Sequence, residues 1–122
     1  MPTTYREIYA VAIDLSQGQS EAHWRSSISR AYYACLHLAL SISRVQPTGN
    51  DTHAQVWRAL NELGGRRPMG YNYRAAATKG RSLKQRRETA DYELATSIPH
   101  TECLDALEQA RKLLEALQSL SP

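Results

Sequence analysis

The sequence predicts an all-α protein, an antiparallel bundle of five helices, and three observations predict it. Apolar residues recur at three- and four-residue spacing in successive segments; the breaks between segments carry turn residues; almost no stretch alternates as a strand would. At 122 residues, 42% hydrophobic and 22% charged, the chain reads as one domain over residues 1–122, able to bury a core without metal or disulfide staples.

Each element follows from local signals. Thr4 followed by Glu7 forms a capping-box pattern, and Ile8, Val11, Ala12 and Leu15 then repeat at helical spacing until Gly18. Ser20 can cap a second helix that meets neither Pro nor Gly before Pro47, so it runs from about Ser20 to Arg44, on the order of 37 Å. Its main apolar face is Trp24, Ile28, Ala31, Cys35, Leu38 and Ile42. The VQPTGND run is a turn, after which Asp51 or Thr52 caps a shorter helix through Val56, Trp57, Leu60 and Leu63, closed by Gly64-Gly65. Arg66 to Tyr73 has the composition of a loop, and a fourth helix is expected from about Asn72 to Ala90, with Gly80 as a point of interruption. Pro99 opens a final helix to about Leu120, apolar through Leu104, Leu107, Leu114 and Leu117.

Several function classes find no support. No apolar run approaches the roughly 20 residues of a membrane span, and the N-terminus MPTTYREIYAVAIDL lacks the basic start and apolar stretch of a secretory signal, so no membrane partner and a cytoplasmic location are expected. Cys35 and Cys103 lie in apolar stretches, as buried thiols do. No Cys, His or carboxylate cluster has ligand spacing, no Gly-rich phosphate loop follows a strand, and no Gly-x-Ser-x-Gly elbow occurs; no metal and no cofactor are expected.

Three constellations remain. His23, Arg30, His37 and Arg44 recur every seven residues, which keeps them on one narrow helix face, either solvated or turned to RNA or a second chain. An Arg–His pair there has chemical interest, because His moves protons near neutral pH while Arg grips a phosphate. The segment Arg66 to Arg87 holds eight of the fifteen Lys and Arg residues and no Asp or Glu, interleaved with tyrosines. Its Arg66, Arg67, Tyr71, Tyr73, Arg74, Lys79, Arg81, Lys84 and Arg87 are the candidate RNA-binding set, cations for phosphates and rings for unpaired bases. Within Lys84 to Tyr92, Lys84 with Glu88 and Arg87 with Asp91 are spaced four apart as helix ion pairs, which leaves Arg86 free to meet a phosphate or another chain.

The stretches SRAYYACLHLAL, THAQVWRAL around His53, and LKQRRETADYEL, with the amphipathic final helix, together resemble the HEPN domain family over most of the chain and in the right order. The resemblance implies an antiparallel up-and-down bundle of four to five helices that often forms homodimers. It also implies a place in a toxin–antitoxin or defence module, as a metal-independent endoribonuclease or as a non-catalytic relative that binds RNA or pairs with a nucleotidyltransferase-like partner protein. Carried over position by position, Arg86 matches the family's catalytic Arg, while Asp91, followed by Tyr92, stands where the family has its His. Arg30 and His37 satisfy the Arg–His spacing on an earlier helix. Arg86, Asp91, Tyr92, Arg30 and His37 are therefore the candidate catalytic residues.

Overall fold

The computed structural model describes residues 2–66, 68 and 70–121, and among them it has five helices and no strand. They are α1 (Tyr5–Ser16), α2 (Glu21–Ser43), α3 (Thr52–Leu63), α4 (Gly70–Tyr92) and α5 (His100–Leu120). The all-α bundle expected from periodicity is the observed fold. Thr4 and Glu7 close the capping box at the start of α1, and the Ser20 hydroxyl accepts from the His23 N–H at 3.2 Å to start α2.

The central helix is α2, which packs against all four others. Its buried face holds Ile28, Ala31, Cys35 and Leu38, with Trp24 and Ile42 half-buried at its margins. Tyr9 of α1 donates from its hydroxyl to the Leu107 carbonyl of α5, and Gln118 near the end of α5 reaches Tyr5 at the start of α1, so those two helices run antiparallel. Arg25 at the start of α2 meets the end of α4, which fixes the opposite sense for that pair. The four elements α1, α2, α4 and α5 thus alternate in direction.

Helix α3 departs from this alternation. Arg44 ends α2 in the left-handed conformation at φ 56°, and residues 45–49 carry the chain back along the bundle. The start of α3 consequently lies beside the middle of α2, where His53 meets Tyr32, while its end lies by the start of α4, where Arg74 donates to the Gly64 carbonyl at 2.9 Å. That return path places the N-terminus of α3 against the C-terminal half of α4, and the candidate site lies there.

Two sequence expectations change. The helix expected from Asn72 starts two residues earlier, because Tyr73, Ala76 and Ala77 bury against the core and helical pairing outweighs the loop composition of that stretch. Gly80 does not interrupt α4. A Cβ at that position would fall 2.3 Å from Cε3 and Cζ3 of Trp57, so the glycine lets the Trp57 ring of α3 pack directly on the backbone of α4. Cys35 and Cys103 are free and buried. No described helix is long and apolar enough to cross a membrane.

Candidate functional site

The heart of the site is a buried arginine. On α4, Leu83, Arg87 and Ala90 follow at four and three residues and share the inward face, so helix geometry drives the Arg87 side chain between α2 and α3. Only 6% of Arg87 is exposed. Its guanidinium lies over the rings of Tyr32 and Tyr33 of α2 at 5.3 and 5.6 Å, and within 5.9 Å of the Tyr92 ring. Nη1 pairs with Asp91 at 3.5 Å and Nη2 approaches Nδ1 of His53 at 3.3 Å. Nε has no hydrogen-bond partner. Leaving a buried guanidinium donor unpaired costs about 1–3 kcal/mol, which marks this group among the many arginines of the chain.

Around Arg87 the side chains form a directed network. Trp57 donates from Nε1 to the Tyr32 hydroxyl at 3.0 Å, leaving the Tyr32 proton free to point at His53 Nδ1, 3.3 Å away. Arginine has donors only, so Nδ1 of His53 is an acceptor here and the imidazole proton belongs on Nε2. Burial lowers the His53 pKa below its ordinary value, and the neighbouring Arg87 and Lys84 charges lower it further; His37 adds to the same effect. His53 is therefore neutral at pH 7. Burial pushes the Tyr32 hydroxyl up to about 12, so it too stays protonated. Ser29 donates to Asp91 at 3.2 Å and holds that carboxylate toward Arg87.

This network is one wall of an open groove of about 450 Å³, within the roughly 300–1,000 Å³ range of small-molecule sites. Asn50 to Ala54 at the start of α3 line one side, Lys84, Arg87, Glu88 and Tyr92 of α4 the other, and Tyr33 of α2 closes the base. Lys84 bonds Glu88 at 2.8 Å, and that contact lowers the Glu88 pKa. Among the described residues no three His, Cys, Asp or Glu side chains converge.

The structure gathers some of the sequence candidates and disperses others. Lys84, Arg87 and Tyr92 line the groove, and Asp91 braces Arg87 from behind. Arg30 is exposed and lies over the Tyr33 ring at 4.8 Å, joining the site through that ring. His37 is exposed on α2, near enough for its charge to weigh on His53. Arg86 points to α5, with Nη1 3.5 Å from the Glu102 carbonyl, away from Arg87. Tyr73 is buried in the core. Arg66, Tyr71, Arg74 and Arg81 are exposed outside the groove, and Lys79 borders a separate shallow depression with Arg111 and Lys112 of α5. Arg67 lies outside the described residues.

His53 and Tyr33 are site residues that motif spacing did not select. His53 precedes Trp57 by four residues on the inward face of α3, a signal that it turns toward the core, but its meeting with Arg87 depends on the return path of residues 45–49. Comparison with family models, curated proteins and solved structures finds no match to the chain.

Proposed function

We propose that the chain is a HEPN-like module that binds single-stranded RNA in the groove between the start of α3 and the C-terminal half of α4. The observation that carries this reading is Arg87: a buried guanidinium, pre-oriented by three tyrosine rings and a carboxylate, with one donor unpaired, in the lining of a groove. Phosphate recognition uses such a fork, and the exposed Tyr92 ring at the rim offers a face on which a base can stack. The sequence resemblance supplies the RNA class, and the exposed cations of α4 outside the groove supply diffuse attraction for the rest of a strand.

The same geometry favours binding over cleavage. A general base needs a free lone pair facing the substrate, and the lone pair of His53 faces Arg87 and Tyr32. A general acid at neutral pH needs a pKa near 7, and that of His53 is lowered. Metal-free phosphodiester cleavage through this pair would require the network to come apart first.

Fluorescence anisotropy with short single-stranded RNA tests the reading. Binding should weaken as salt rises, and Tyr92→Ala should lose about tenfold, as removal of one base-stacking ring does. RNA binding unchanged in both Tyr92→Ala and Arg87→Lys would remove the groove as the site. Leu94, 74% exposed two residues beyond Tyr92, favours a second reading in which a partner protein docks at this end of α4. Salt-insensitive capture of a protein with no RNA affinity would support that one instead.

A further inference from the structure

The N-terminus of α3 adds a second set of donors to the groove. At the starts of α1 and α2 the N-cap hydroxyls of Thr4 and Ser20 accept from backbone N–H groups of the first turn. Asp51 holds the same place before α3, but its carboxylate makes no cap bond. It is turned aside to accept from Gln55 Nε2 at 2.6 Å and to meet Arg58 at 3.5 Å. Gln55 is itself clasped to the Thr48 backbone, accepting from its N–H at 3.0 Å, so this diversion is built into the loop. The N–H groups of Thr52, His53 and Ala54 consequently have no acceptor among the described residues, and these three residues line the groove. Across it stands Arg87, whose side chain is 8% exposed with Nε unpartnered, and whose Nη2 touches His53.

The charges of the groove match in pairs: Arg58 with Asp51, Lys84 with Glu88, Arg87 with Asp91. Its side chains therefore carry no net positive charge, and anion affinity rests on oriented donors. Three helix N–H groups, with the cationic heads of Lys84 and Arg87, reward charge and terminal oxygens, and an internal phosphodiester brings a single charge and two such oxygens. A phosphate monoester has three terminal oxygens and a charge of about −1.5 to −2 at neutral pH, which suits that donor set and the helix dipole.

We propose that the groove recognises the phosphate monoester of a nucleotide, the phosphate over the α3 N-terminus and Arg87, the base against Tyr92. The inference deepens the RNA reading and rests on the same groove. The monoester comes either from a phosphorylated strand end or from a free mononucleotide.

Titration calorimetry on the full chain, with four probes, separates these. The probes are an RNA pentamer with a 5′-phosphate, one with a 3′-phosphate, one with hydroxyls at both ends, and AMP. One phosphorylated pentamer should bind at least tenfold more tightly than the hydroxyl pentamer, and AMP competition at similar affinity would identify the free nucleotide as the source. The control is Ala54→Glu, which puts a carboxylate in the first turn of α3, where it favours the helix but repels a phosphate. It should melt no lower than the parent and lose the preference. Equal affinity for the hydroxyl and both phosphorylated pentamers overturns this inference while the RNA reading stands. AMP binding without any pentamer binding supports the monoester and sinks the RNA reading. A preference that survives Ala54→Glu, or no binding by any probe, overturns the inference.

Discussion

Two buried arginines bridge α2 and α4, and their surroundings differ in kind. Arg25, 8% exposed, makes its hydrogen bonds to main-chain carbonyls, Thr89 at 3.2 Å, Ala90 at 3.0 Å, Glu93 at 3.3 Å, and Thr96, with the Glu21 carboxylate at 3.7 Å from its Nε. Those carbonyls close α4 and the segment after it, and every helix end leaves such acceptors open. Arg87 meets side chains and rings instead, keeps one donor without a partner, and borders a groove. A buried cation closed by backbone fastens the fold. One held by rings and side chains in the lining of a groove, with a donor unpaired, is the one on which the proposed binding site rests.

The largest expected effect comes from breaking the first of these. Arg25→Ala strands several buried carbonyls at once and should cost about 3 kcal/mol, lowering the melting temperature by roughly 10 °C, while the folded fraction binds RNA as the parent does. Arg87→Met should invert the pattern. Its flexible apolar chain fills the space between the tyrosines, so stability changes by about 1 kcal/mol or less, while RNA affinity falls about tenfold. Thermal melts and anisotropy on the two variants read both quantities. Equal stability losses with equal affinity losses would erase the distinction.

How much of this was legible in the sequence differs between the two arginines as well. Helix positions, the Thr4 and Ser20 caps and the inward face of α2 follow from spacing, because burial of an amphipathic face is a local rule. The phase of α4 was also legible: Leu83, Arg87 and Ala90 repeat as a buried stripe does, which distinguishes Arg87 from Arg86 next to it. Spacing within one helix could not supply the partner. His53 lies 34 residues before Arg87 in sequence, on a helix brought back by the connection after Arg44, and no periodicity encodes the path of a connection. The role of Arg25 was hidden for the same reason, since its acceptors are backbone atoms that any residue carries.

A middle-sized effect belongs to the support beneath Arg87. Tyr32→Phe keeps the ring under the guanidinium but removes the hydroxyl that accepts from Trp57 and faces His53. A buried indole N–H without its acceptor should cost about 1–2 kcal/mol in denaturant melts. RNA affinity should fall by less than in Arg87→Met, since the cation remains in place. A larger affinity loss in Tyr32→Phe would transfer the leading role from the arginine to the imidazole that the hydroxyl orients.

The smallest effect is one of pH, and it distinguishes the two arginines without a change at either. The His53 pKa is lowered from 6.5 in the folded protein, chiefly by burial and next by Arg87. As pH falls below about 6.5 the unfolded chain takes up a proton that the native chain still refuses, so stability falls with pH until the folded value is passed. Asp51 and Glu88, whose folded pKa values are lowered from 3.8 and 4.5, hold stability that is lost only at lower pH, so the two windows separate. His53→Asn leaves an acceptor for Arg87 and removes the titration, and its melting temperature should vary less than the parent's between about pH 6.5 and 5.5. Protonated His53 would also turn an acceptor into a cation beside Arg87, whereas the carbonyls around Arg25 do not titrate. Mild acid should therefore lower the amide protection factors, corrected for the intrinsic pH dependence of exchange, of Gln55 and Val56 in α3 before those at the end of α4. Equal loss of protection at both places, or an unchanged slope in His53→Asn, would mean that the imidazole is not held neutral against the arginine.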